Sequence, residues 1–289
     1  MSNLTRRITI FHVLPVFSST LIGGLAGLIL FSSGVMEEVE SPFLSGEDVQ
    51  STALNTMSFL VLVAAGSLFV LLLYKFRRIL LHYLFAFSIF ISGTGVYTMY
   101  LLALAGLGVI PRLSDISIMA LSILLSTALI ISINRRMEAL RVLLLLTFGS
   151  LVGPLFAFML PTWSALAVVV ALSIFDIYSV FKGPLSKMLP QAREGDARGE
   201  LPGEFKWVTI SFKGVSLGIG DLIFYSMISA LALIKPNVNI LRWMLTSLVL
   251  IVGVYVTLRL LEKRSVLPAL PIPALGSITL YLLLIQAGV

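Results

Sequence analysis

The chain has 289 residues, of which 58% are hydrophobic and 12% charged, with a mean hydropathy of +1.05 and a formal net charge of +6. Soluble domains carry about 25% charged residues, so the composition excludes a water-soluble globule and predicts a multi-spanning membrane protein. Cysteine is absent and there are only two histidines, His12 and His82; disulfide frameworks, thiolate metal sites and the HExxH zinc pattern are therefore all excluded.

Apolar runs near the ~20 residues that cross a bilayer recur along the chain. They predict spans at 8–33, 52–74, 79–105, 113–133, 142–159, 162–181, 214–234, 241–260 and 268–287. The fold expected is all-α, a polytopic membrane protein with nine transmembrane helices in one domain over 1–289. The first run has Arg6 and Arg7 before it but no A-x-A-like cleavage site after it, so it reads as a retained span rather than a signal peptide. The fifth and sixth spans are parted only by a tight turn at Pro161. The long internal loop, 183–213, is polar and rich in Gly and Pro. No internal repeat suggests the inverted halves of many transporters.

With the N-terminus inside, 17 of the 20 Lys and Arg residues fall on one side of the membrane. Arg112, Lys235 and Arg242 face the other way, and the acidic loop "MEEVESPFLSGEDVQ" (36–50) falls outside. Basic residues collect on the cytoplasmic side, so topology accounts for the positive charge and no nucleic-acid partner is implied. The predicted localisation is an integral, multi-pass protein with a cytoplasmic N-terminus and an extracytoplasmic C-terminus.

Of the 14 acidic residues, 12 fall in loops or at membrane edges, and only Asp176 and Asp221 lie within spans away from their ends. Each costs about 2.5–3.5 kcal/mol at a helix centre, which invites a functional explanation. Asp176 precedes Lys182 by six residues, roughly 9 Å at the helical rise. Asp221 follows Lys213 by eight residues, roughly 12 Å. The helices run in opposite directions, so the carboxylates reach similar depth and can face one another. Ser173, Asp176 and Ser179 share one helical side, as do Asp221, Tyr225 and Ser229. Two carboxylates in a poorly solvated site share a proton and titrate as a dyad. The ionised member can deprotonate water while the protonated one polarises a carbonyl, as in aspartic proteases. Interhelical hydrogen bonding that merely joins helices is the plainer alternative.

The chain around Asp221 reads "GVSLGIGD", with Gly218 and Gly220 just before the acid, and the ninth span opens with "LPALPIPAL". Helix packing explains the glycines in the simplest view, helped by the Gly214/Gly218 spacing. Proline in a first turn is ordinary. Yet three prolines in six residues leave non-helical backbone, which at this depth is tolerated only where it is buried in protein or lines a cavity.

The Asp of "FDIYSVF", "GIGD" and "PAL", on the sixth, seventh and ninth spans, together resemble the presenilin/signal peptide peptidase family of GxGD intramembrane aspartyl proteases, and the resemblance covers the whole chain. It implies that Asp176 and Asp221 are the catalytic pair. By the same resemblance Gly218, Gly220 and Pro268–Ala269–Leu270 support the site and bind substrate, in preference to the second "PAL" at 273–275. The compact chain is similar to microbial homologues, for which the membrane would be the plasma membrane. Phe175 stands where the family usually has Tyr. The loop between the sixth and seventh spans is much shorter than presenilin's, and the N-in orientation is presenilin-like.

The function expected is hydrolysis of peptide bonds in transmembrane segments of membrane proteins, with water and no metal or organic cofactor. The partners implied are transmembrane-helix peptides and the lipid bilayer, with homo-oligomerisation left open. The alternative from another class is a proton or cation pathway with the two Asp as relay or binding sites.

Overall fold

The computed structural model describes residues 8–134, 138–182, 206–262 and 267–289. Among them run nine α-helices: α1 (Leu14–Ser33), α2 (Val49–Phe76), α3 (Arg78–Gly106), α4 (Asp115–Asn134), α5 (Glu138–Met159), α6 (Thr162–Phe181), α7 (Ile219–Ile234), α8 (Ile240–Leu261) and α9 (Pro271–Gln286). Between α6 and α7 stands one antiparallel hairpin, β1 (Thr209–Phe212) and β2 (Val215–Gly218). Loop residues 183–205 and the basic residues Arg6, Arg7, Arg135, Arg136, Lys187, Arg193, Arg198, Lys263 and Arg264 lie outside the described residues.

Seven of the helices are long and apolar enough to cross a membrane. The other two, α7 and α9, have 16 residues each, or roughly 24 Å against a hydrocarbon core of about 30 Å. Both are shorter than the sequence predicts, because the chain before each is not helical. The seventh run was expected to be helical from 214. Instead, residues 215–218 form β2, and helix begins only at Ile219. Lys213 and Gly214, at φ 48° and 81°, make the two-residue turn with positive φ that matches the twist of antiparallel strands. Ile210, Val215 and Leu217 point inward while Ser211 and Ser216 face out, the period-two pattern of a half-buried strand. Gly214 and Gly218 therefore serve the hairpin and do not form a helix-packing stripe. Likewise 267–270 is non-helical, and α9 starts at Pro271.

Helix α7 is the buried centre of the bundle, with every residue from Tyr225 to Ile234 buried. Lipid tails are as apolar as Leu, so helices in a bilayer associate through close backbone approach and interhelical hydrogen bonds. Both are present here. On one flank of α7, a Cβ at Gly23 or Gly27 of α1 would lie 2.7 Å from Ser226 or 2.9 Å from Ala230. On the other, Gly149 and Gly153 of α5 press against Ile219 and Ser226. Ser150 donates to Ser19 at 2.8 Å, and Ser19 donates to the Leu222 carbonyl at 3.2 Å. Ser229 donates to the Thr20 carbonyl at 2.7 Å and accepts from the Trp243 indole at 2.7 Å. By contrast, α2 buries only Asn55, Phe59 and Tyr74.

Hydrogen bonds identify the two ends of the bundle. At one end Trp207, before β1, meets His82 near the start of α3, and Arg141 at the start of α5 donates to Lys206. The backbone N–H of Ile8 there reaches Glu262, just past α8. At the other end Glu47 accepts from the first amides of α6, Thr162 (2.7 Å) and Trp163 (3.1 Å). Lys235 donates at 2.7 Å to the Leu160 carbonyl at the end of α5. Arg242, almost fully buried, donates to the carbonyls of Ala232 and Val289. Lys235 and Arg242, two of the three basic residues expected on the minority side, thus satisfy buried carbonyls at helix ends, which gives them a local reason to depart from the basic majority.

Candidate functional site

The sequence-predicted site residues come together at the hairpin end of the bundle. Asp176 sits in the penultimate turn of α6, and its Oδ2 accepts the backbone N–H of Leu270 at 3.1 Å. The Ala269 amide is directed at the same carboxylate. Asp221 lies in the first turn of α7. The two carboxylates are within electrostatic reach of one another and of Tyr225. Helix α6 and the chain before α9 are therefore joined through an aspartate.

Each local conformation follows from its residues. Gly218 is the residue that caps α7, extended at φ −70° and ψ 142°. A Cβ there would stand 3.2 Å from Asp221 Oδ2, so a side chain at 218 would crowd the acid. Gly220 has no atom within 4 Å of an equivalent Cβ and is exposed; its missing side chain leaves open space instead. Pro268, Ala269 and Leu270 form the non-helical lead into α9, and Leu270 is buried. The second proline motif behaves differently. Pro273 packs its Cα against Gly253 of α8, where a Cβ would stand only 2.6 Å away, so residues 273–275 serve helix contact.

Beside Asp221 opens a cavity of about 80 Å³, lined by Ser216 and Leu217 of β2, Tyr225, Thr257 and Leu258 of α8, and Ala269. Among the described residues no group of three or more His, Asp or Glu side chains is placed to hold a metal ion.

The sequence places Tyr225 on the polar face of α7 without giving it a role, and it does not reveal the hairpin. Tyr225, fully buried, donates its hydroxyl to the Ala269 carbonyl at 2.8 Å; its place one turn after Asp221 was the available signal. Ser229, on the same predicted polar face, turns out to bond α1 and α8 residues instead. Ser173 spends its hydroxyl on the Val169 carbonyl of its own helix. The hairpin was also missed, although "TISFKGVSLG" alternates apolar and polar residues about a Lys-Gly turn.

No family model and no curated protein matches the chain. Solved structures do. One structure of a presenilin family intramembrane aspartate protease, in a C222 crystal form, superposes with a TM-score of 0.64 at 18% identity, covering 95% of this chain and 99% of that one. A P2 form of such a protease gives 0.58 at 17% identity, with 95% and 98% covered. The chain has the fold of these proteins over nearly its whole length.

Proposed function

We propose that the protein is an intramembrane aspartyl endopeptidase that hydrolyses peptide bonds in transmembrane segments with an Asp176/Asp221 dyad and water. The observation that carries this reading is that Asp176 accepts the Leu270 amide while Asp221, within electrostatic reach of it, lines a cavity together with Ala269. The presenilin-like fold supports it. One aspartate, ionised, takes a proton from water; the other, protonated, donates a hydrogen bond to the substrate carbonyl. Hydroxide adds to the carbonyl carbon, and the tetrahedral intermediate collapses as the amine leaves with a proton from the dyad. One acid must be charged and its partner neutral, so the rate–pH profile has both an acidic and a basic limb.

A helical substrate must unwind to expose its peptide bond, and its freed amides and carbonyls then need partners. The outer edge of β2 and the backbone at Pro268–Ala269–Leu270 supply them in this reading, by addition of an extended segment. Gly218 and Gly220 keep that approach unobstructed. The extended backbone before α7 and α9 lets these short helices complete nine crossings within a single domain over 1–289. Basic residues at the hairpin end, including Lys75, Lys182, Lys206 and Lys213, assign that end to the cytoplasm by the positive-inside rule. The N-terminus is then cytoplasmic and the C-terminus extracytoplasmic, and substrates have an N-out single span.

The test is purified protein in liposomes with a labelled transmembrane peptide. Cleavage is expected in the parent and absent in both Asp176→Asn and Asp221→Asn. Persistence of cleavage in both variants sinks the proposal. Ion flux that both substitutions abolish, with no cleavage in the parent, establishes the conduction pathway instead.

A further inference from the structure

The buried guanidinium of Arg141 takes no part in the chemistry above. It is 5% exposed, and its Nη1 lies 3.0 Å from the Lys206 carbonyl and 3.5 Å from that of Thr209. Among the described residues no carboxylate lies within ion-pair distance of it. A buried charge is retained only where its hydrogen bonds offset desolvation, and these two carbonyls supply such bonds. Between them lies Trp207, 1% exposed, whose indole N–H donates to His82 Nδ1 at 3.1 Å. The rings meet edge to face, with centroids 4.9 Å apart at 85°. Residues 206–209 are therefore gripped from α5 on one side and α3 on the other.

This grip is linked to the aspartate by a short path. The Val208 carbonyl accepts the N–H of Ile219 at 2.9 Å, and Ile219 is two residues before Asp221. Thr209 faces Gly218 in the hairpin register. A shift of the 206–209 segment must move the start of α7 or break the hairpin.

We propose that Arg141, His82 and Trp207 are positioning residues that fix the hairpin against α3 and α5 and thereby set where the Asp221 carboxylate stands. The effect on cleavage rests on the protease reading; the mechanical hold does not. His82 must act as an acceptor at Nδ1, so an asparagine at 82 can replace it and a leucine cannot.

The chain has no cysteine, so Ser211→Cys, at an exposed position on β1, takes a single spin label without background. In the full-length protein in liposomes the label is expected to be immobilised. Trp207→Phe, Arg141→Met and His82→Leu should each add a mobile component, while His82→Asn stays close to the parent. In the same series kcat for a labelled transmembrane peptide should fall about tenfold or more in the first three, with KM changed less than twofold, because misplacement acts on the reacting geometry. The proposal is overturned if the label stays immobile in folded Trp207→Phe and Arg141→Met, or if His82→Asn behaves like His82→Leu. Mobilisation without a change in kcat overturns the link to Asp221. A parent that cleaves nothing removes the protease reading, yet the label spectra still decide whether the segment is held.

Discussion

Tyr225 and Ala269 are joined by a 2.8 Å hydrogen bond from the phenol hydroxyl to the backbone carbonyl. With the Leu270 amide on Asp176, it makes the short stretch before α9 a bridge between α6 and α7. Both partners of the bridge sit on the aspartate-bearing helices, so the backbone at 269–270 carries geometric information between the acids. It also puts a hydroxyl next to the site in a chain that has Phe175 beside Asp176.

Tyr225→Phe removes that donor while keeping the ring. A buried carbonyl left without its donor costs about 1–3 kcal/mol. The variant is expected to fold, with peptide cleavage in liposomes reduced about tenfold or more, since 1.4 kcal/mol in the barrier is a factor of ten. Unchanged kcat/KM would mean that the bridge has no part in the reaction.

Gly153 of α5 is pressed against the backbone of α7: a Cβ there would overlap the Ser226 hydroxyl, the Ile223 carbonyl and the Met227 amide. Backbone cannot yield as a flexible side chain can. Gly153→Leu is expected to lower the thermal unfolding midpoint in detergent strongly, by more than the 1–3 kcal/mol of ordinary overpacking. Gly276→Ala, where the nearest atom to a Cβ is Val249 Cγ1 at 3.4 Å, should leave the midpoint almost unchanged. The contrast between the two is the measurement.

Lys235→Met removes the ammonium that bonds the Leu160 carbonyl at 2.7 Å. Leu160 is fully buried, and its carbonyl then loses that partner. A destabilisation of about 1–3 kcal/mol is expected, read from detergent unfolding, with the orientation of the chain unaltered in a protease-protection assay. In the proposed orientation the basic excess lies at the hairpin end, and this change leaves it intact.

Gly218→Ala should act on chemistry more than on folding. The residue has an ordinary extended φ of −70°, so alanine strains no backbone. Its methyl group would however stand 3.2 Å from Asp221 Oδ2. A fall in kcat with an unfolding midpoint within about 1 °C of the parent is the expected pair of results; a large drop in midpoint would assign the glycine to packing instead.

The sequence alone determined the class of the protein, the near extents of its apolar helices, the acids at issue and the motifs around them. It could do so because a bilayer penalises charge and unpaired backbone so heavily that Asp176 and Asp221 stand out in any reading of hydropathy. Local sequence also held the alternation of the 209–218 hairpin, but an apolarity window through "VSLGIG" favours helix and hides it. Tertiary structure decided the rest. Only packing between α1 and α5 buries α7, and only the fold brings the Ala269 and Leu270 backbone to Tyr225 and Asp176. It also converts Arg141, read from sequence as one more topological charge, into a ligand for two carbonyls. Such partners lie 44 to 94 residues apart along the chain; no local pattern encodes contacts made at that separation, because they follow from which helices can approach closely enough to touch.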